Sequence, residues 1–328
     1  MPERAVVTQG VQIGVETTSG TTVPANKQLQ SLSISPEIHI DSTQFQPVGQ
    51  KVPSIVVPNK EWSEMGLTGV LDYTEIIYPL SGILGTAVSV VQQAATTAYL
   101  WTFTPAARTS DSYKTFTIEQ GDANRAQRLS YALLSEFEVT LTRGGATIGG
   151  KAFGQAITDG ATLTAGPTAL LQKPVIPNQI DVYMDATSAA LGTTKLTRAF
   201  ETKIAITNRN GPLWALNSAN GSFASNVEMD PVFTLTLKVE ADAQGMAFLT
   251  TLRNGTTQFV RVKCTSPDLA GTAFPFSITF DMAMKVATPS TYEDEAGVYA
   301  ITWTCPLVND TTWGKFFTAA VINQQTAL

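Results

Sequence analysis

The chain has 328 residues, 43% of them hydrophobic, which is enough for two domains of roughly 100–150 residues that each bury a core. Only 15% are charged, the formal net charge is −6, and there are one histidine and two cysteines. That balance excludes a basic surface that grips nucleic acid by neutralising phosphates, and leaves too few His and Cys for zinc sites. A surface this poor in charge also does little to hold copies of the chain apart.

Residues 1–26 read as an N-terminal arm. They contain no apolar stretch flanked by basic residues, so no secretory signal is read there, and the N-x-S/T triplets at Asn220, Asn254 and Asn309 are taken as chance. Polar and apolar residues alternate in QSLSIS (30–35) and EIHI (37–40), as in half-buried strands. A loop rich in Pro and Asn is expected over 41–60. GLTGVLD (66–72) reads as a strand that stops at Asp72, where Asp72-Tyr73-Thr74-Glu75 has capping-box spacing. An amphipathic helix of about three turns is predicted from there to Gly85.

From Ile76 to Ala107 no residue is charged, but Pro79, Ser81, Gly82, Gly85, Gln92 and Gln93 interrupt the run, so no membrane span is predicted. Further strands are predicted at YLWTFTP (99–105), KTFTIE (114–119), EFEVTLT (136–142) and KAFGQAIT (151–158), with a weak helix over 121–132. A linker is placed at 159–177. The second half reads as strands at KIAI (203–206), FTLTLKVE (233–240), QFVRVKC (258–264), FSITFDMAMKV (276–286) and YAITWTC (299–305). A long loop (207–231) and an amphipathic helix from Asp242 to Asn254-Gly255 separate them, and 307–328 read as a C-terminal arm.

The two halves follow one plan. Strand, acid, helix and glycine at 66–85 recur at 233–255, with Leu84 matching Leu252 at an offset of 168. Aligning Phe137 with Phe280 gives 143, which leaves 25 surplus residues in the first half. The expected organisation is one domain at 27–158 and a second at 178–306, between the arms and the linker.

No catalytic, cofactor-binding or metal-binding residue is put forward. His39 lies on the same alternating face as Ser33, Ser35 and Glu37, and no G-x-S-x-G elbow accompanies it. Gly145 to Lys151 match phosphate-loop spacing, but Ala152 stands where magnesium needs Ser or Thr, so a glycine-rich hairpin turn is expected. Glu293-Asp294-Glu295, and Asp181 with Asp185, lack the spacing of a calcium loop and are expected to be solvated loop carboxylates. Cys264 and Cys305 are expected to be buried free thiols.

Several segments carry a resemblance: GVQIGVETTSGTTVPANKQLQSLSIS (10–35), WSEMGLTGVLDYTEIIYPLSGILG (62–85), WTFTPAARTSDSYKTFTIEQGD (101–122), LSEFEVTLTRGGATIGGKAFGQ (134–155) and PVIPNQIDVYMDATSAALGTTKL (174–196). In order and character they resemble the major tail tube proteins of long-tailed, non-contractile bacteriophages. The resemblance implies a mainly β fold of two tandem tube-type β-sandwich or half-barrel domains, each with a flanking helix. It implies sheets that join between subunits into a closed β-barrel ring, and rings that stack into a tube conducting double-stranded DNA from capsid to host without specific binding. It further implies partners: the chain itself, a tape measure protein inside the tube, tail terminator and distal tail proteins at its ends, and no membrane. The site of action would be the virion tail, after assembly in the host cytoplasm.

Two domains per chain suggest three chains per ring. If each domain lends four strands, roughly 24 strands at ~4.8 Å spacing and ~40° tilt close a wall about 48 Å across, or about 38 Å inside the side chains. A wall with negative potential would let DNA slide. The loops 41–60 and 207–231, with the arms, are the candidates for ring-to-ring contacts. The alternative reading is a glycan- or receptor-binding β-sandwich module of a virion or pilus, and an enzyme is not expected.

Overall fold

A computed structural model describes residues 8–216 and 221–328. Residues 1–7 of the expected N-terminal arm, and 217–220 of the 207–231 loop with the Asn220 triplet, lie outside the described residues. The fold is mainly β, about 55% strand and 9% helix, built on large mixed sheets with no closed barrel.

The first half runs β1 (Gly10–Val15), β2 (Lys27–Leu29), β3 (Leu32–Phe45), β4 (Ile55–Val70), α1 (Ile77–Leu84), β5 (Ser89–Gln92), β6 (Tyr99–Phe103), β7 (Phe116–Gly121), β8 (Ala126–Thr142) and β9 (Gly145–Gly154). Two short strands, β10 (Thr158–Ala161) and β11 (Thr168–Ala169), lie at and within the expected linker. The second half runs β12 (Ile180–Asp185), β13 (Ala199–Thr207), β14 (Asn210–Leu213), β15 (Ser225–Glu228), β16 (Val232–Glu240) and α2 (Ala243–Asn254). It ends with β17 (Thr257–Gly271), β18 (Phe274–Lys285), β19 (Thr288–Pro289), β20 (Glu293–Glu295), β21 (Val298–Pro306) and β22 (Phe317–Asn323).

Four pairings occur once in each half, in the same chain order. β1 pairs β7 and β7 pairs β8, as β12 pairs β17 and β17 pairs β18. β3 pairs β4 and β4 pairs β9, as β13 pairs β16 and β16 pairs β21. The registers correspond as well. Leu67 faces Ile34 and Gly150, while Leu237 faces Thr202 and Trp303. Those partners set the offsets at 170 for β4 and β16, 168 for β3 and β13, and 153 for β9 and β21.

This differs from the sequence alignment of Phe137 with Phe280. Ile118 faces Ile13 and Leu129, as Val262 faces Val182 and Phe280, so Phe280 corresponds to Leu129. The net surplus of the first half as far as β9 is 17 residues, the difference between 170 and 153. Period-2 alternation matches itself at every even shift. An alignment displaced by eight residues therefore looked equally good.

The halves meet in one continuous row. The C-terminal part of β8 pairs with β13 from Thr142↔Glu201 to Phe137↔Ile206. A line of mutual partners then crosses both halves: Ile34, Leu67, Gly150, Phe137, Ile206 and Phe233. Its apolar side belongs to a single core that also contains Leu235, Phe280 and Trp303. The second sheet runs β12-β17-β18-β22-β6-β5. The expected C-terminal arm thus supplies an inner strand: β22 is largely buried and lies between β18 and β6. Much of the expected N-terminal arm is sheet too, since β1 is buried against β7.

Both helices depart from expectation in detail. Asp72 Oδ1 accepts from the Thr74 and Glu75 amides at 2.7 and 3.2 Å, but the α-helix begins a turn later at Ile77, and all eight of its residues are buried. A helix apolar all round belongs inside a core. Helix α2 is amphipathic, starts at Asp242, whose Oδ1 accepts from Gly245 N at 2.8 Å, and ends at left-handed Gly255. No helix forms over 121–132. Asp122 Oδ1 caps a turn by accepting from Asn124 and Arg125, and β8 follows. Tyr131 in β8 has φ 57° beside a register shift, and both faces of the strand are covered there. Ala132 and Leu134 join the main core, while Tyr131 and Leu133 pack with Phe153 and Phe223, so Tyr131 to Leu134 are all buried and show no polar alternation.

The loop expected at 41–60 is instead a long hairpin, since β3 and β4 pair out to Phe45↔Ile55. The 207–231 region holds the β14–β15 hairpin. It folds against the base of the long one, where Trp62 and Trp214 meet edge to face at 5.7 Å over Phe223, Tyr131 and Phe153.

Candidate functional site

The feature that stands out is a surface, made of the row's two ends and its polar side. The strands lie in the order β3-β4-β9-β8-β13-β16-β21, and β21 carries β19 and then β20 along its far edge. At one end β3 pairs only with β4, and among the described residues no backbone hydrogen bond reaches its other edge between Ser33 and Gln44. At the opposite end β19 and β20 pair only with β21. Both ends expose unpaired backbone polar groups, which are templates for another strand.

The side of the row facing away from the core is rich in Thr and glutamate, because each strand alternates. It carries Glu37, Glu64, Glu136, Glu138, Glu201, Glu240, Glu293 and Glu295 against Lys151, Lys203 and Lys238. The lysines are paired within this side. Lys151 lies 3.4 Å from Glu136, Lys203 2.7 Å from Glu138, and Lys238 3.1 and 2.7 Å from Glu293 and Glu295. Hydrogen bonding from Lys238 holds the Glu293 carboxyl below its usual range. Glu240 pairs with Arg198, and Glu37, Glu64 and Glu201 have no Lys or Arg ion partner among the described residues, so carboxylates are in surplus on this side.

The acids of 293–295 are therefore strand residues rather than loop carboxylates: Glu293 and Glu295 are tied to Lys238, and Asp294 accepts from the Gly297 amide. Asp185 also differs from expectation: it is 4% exposed and accepts from the amides of Gly192, Thr193 and Thr194 and from the Thr193 hydroxyl. Burial pushes its carboxyl up, but the hydrogen bonds from Thr193 and Thr194 outweigh it and hold it below its usual range. Asp181 pairs with Lys195. Among the described residues no group of three or more His, Cys, Asp and Glu is placed to hold a metal ion. Gly145 to Ala152 lie in β9, after the two-residue turn Arg143-Gly144. His39 stacks on Trp62 at 5.1 Å, between Glu37 and Glu64 at 3.8 Å each. Cys264 and Cys305 are buried and unpaired, and burial pushes each thiol up to about 12.

The long hairpin adds a third feature. Ile40, Phe45, Val52, Ile55 and Val56 are each more than half exposed, and Val48 at its tip is fully so. A two-stranded ribbon with apolar residues on both faces and no cover marks a contact surface.

No known protein-family model matches the chain, and no curated protein matches it. Among the described residues no helix is long and apolar enough to cross a membrane.

Proposed function

We propose that this chain is a structural subunit of a phage tail tube, with a duplicated tube domain, that joins sheets with its neighbours into a ring. The observation that carries the reading is the open row in which the first half already docks on the second through β8 and β13. The four repeated pairings support a duplicated unit, 27–158 and 178–306 in its main parts, although β6 and β22 cross that division. Each half lends four strand positions to the row, namely β3, β4, β9 and β8, then β13, β16, β21 and β19 with β20. Three chains then supply roughly 24 strands and a lumen of about 38 Å, wide enough for a DNA duplex.

On this reading the polar side lines the lumen, and its surplus of carboxylates repels phosphate, so DNA in transit slides past. The apolar hairpin reaches from one ring to the next. The tape measure protein would occupy the lumen during assembly, and terminator and distal proteins the tube ends, in the virion tail. Negative-stain microscopy of the purified chain tests the reading. Hollow rings or tubes with threefold symmetry and a sixfold pseudo-repeat are expected; a monomer at all concentrations that instead binds a glycan overturns it.

A further inference from the structure

The internal junction between the halves also specifies how one chain meets the next. Two independent ladders fix the correspondence of its edges. Gly150 and Trp303, opposite Leu67 and Leu237, give an offset of 153. The hairpin closures Thr142↔Gly145 and Glu295↔Val298 give 153 again, with two-residue turns at Arg143-Gly144 and Ala296-Gly297. So β20 stands where the end of β8 stands. β3 stands where β13 stands, at offset 168. In the first half the end of β8 is covered by β13, whereas in the second half β20 is uncovered and β3 is the free edge at the other end.

Resting on the ring reading, we infer that β20 of one chain pairs antiparallel with β3 of a second copy in the register of the internal junction. Thr142↔Glu201 translates to Glu295↔Ser33, and Thr140↔Lys203 to Glu293↔Ser35. The space for the incoming hairpin is present. At the internal junction Leu141, Thr142 and Arg143 border one concavity with Pro177, Glu201 and Thr202. At the corresponding place beside β3 lies an open cavity of about 490 Å³, bordered by Gln9, Ile34, Ser35, Pro36, Gln120 and Gln127.

On the polar side the charges are compatible: Glu293 and Glu295 come opposite serines, and Glu37 comes opposite Thr291, so no like charges face directly. On the other side Asp294 comes where Leu141 stands in the internal junction, opposite Ile34 and beside the cavity that Asp122, Arg125 and Asp159 also border. The intermolecular ladder is shorter than the internal one. β20 has three residues, and Pro36, without an N–H, stands where Ile204 stands inside the chain, whereas the internal junction has six residue pairs. Contact between chains is thereby weaker than contact between halves, so the ring forms from folded chains by a concentration-dependent step.

Cysteine cross-linking reads the register. The variant carrying Ser33→Cys and Glu295→Cys, oxidised under assembling conditions, should run as covalent multimers up to a closed trimer on non-reducing electrophoresis. The variant carrying Ser33→Cys and Asp294→Cys puts the thiols on opposite sides of the sheet and should cross-link at least ~10-fold less. Native Cys264 and Cys305 are buried and do not compete. Ser35→Cys with Glu293→Cys provides a second in-register pair, and circular dichroism and melting against the wild type establish that each variant is folded. Rings or tubes in the microscope without cross-links at either in-register pair, or with equal cross-linking in the shifted variant, overturn this seam and leave the ring reading standing. Wild-type chains that form no particles and folded variants that form no cross-links overturn both.

Discussion

At the scale of residues, the buried ionisable groups tie distant segments together. Arg209 is 2% exposed; its Nε donates to Ile83 O at 3.1 Å, and its other nitrogens pair with Asp111 and Glu228. It joins the end of α1, the 106–111 loop and the β14–β15 hairpin. Glu75 is 1% exposed and accepts from the amides of Gln30 and Ser31. Burial outweighs those hydrogen bonds and pushes its carboxyl up to about 7 from an ordinary value of 4.5. The folded chain therefore holds this proton more tightly than the unfolded chain. The associated stability is full below about pH 4.5 and is lost as pH rises through 7. At alkaline pH the loss is on the order of 3 kcal/mol, and buried Asp72, also shifted upward by desolvation, acts in the same direction. Glu75→Gln should flatten this slope and narrow the gap in urea midpoint between pH 5 and pH 8. An unchanged gap would remove Glu75 as its source.

At the scale of elements, strands with one face in the core were legible because alternation reports one-sided burial. β16 and α2 came out near the positions their patterns indicated, Asp242 and Gly255 included. The long hairpin was not legible. Both of its faces are exposed, and Pro47, Pro53 and Pro58 interrupt it, so no period distinguishes it from a loop. β22 was missed for the opposite reason: FTAAVIN is buried on most positions and shows no alternation. The polar side of the row was only half legible. Each strand shows which residues turn outward, but only the ladder order brings Glu64, Glu138, Glu201 and Glu293 onto one surface. The hairpin carries its own prediction. Val48→Ser with Val52→Thr should leave the melting temperature within about 1–2 °C of wild type, since both side chains are solvent-facing. Stacking into long tubes should drop while single rings persist, as sedimentation would show. Unimpaired tube growth would place the stacking contacts elsewhere.

At the scale of the whole molecule, the repeated pairings and the shared row make the two halves related but unequal. The segment between α1 and β7, which has no counterpart between α2 and β17, supplies β5 and β6, which extend the second sheet rather than the row. A ring of three chains would then show near-sixfold order along the row and only threefold order on the side where β5 and β6 lie. The second sheet also draws on both halves of the chain, because among the described residues β6 pairs only with β5 and β22. Removing residues 316–328 should therefore expose buried Trp101, Phe103 and Phe280 and yield aggregated or ANS-binding protein. A soluble truncated chain with native tryptophan fluorescence would contradict this.

That last pairing has a consequence for synthesis. Tyr99 faces Asn323 and Phe103 faces Ala319, and the Trp101 indole donates to Gln325 O across 224 residues of sequence. A nascent chain emerging from the ribosome has made nearly all of its strands before the one that covers β6 appears. Closing so long a loop is entropically costly and slow, so docking of β22 is a late step in completing the second sheet. On the ring reading, a chain that has not yet presented β22 lacks the strand that covers β6 and would not be ready to join its neighbours.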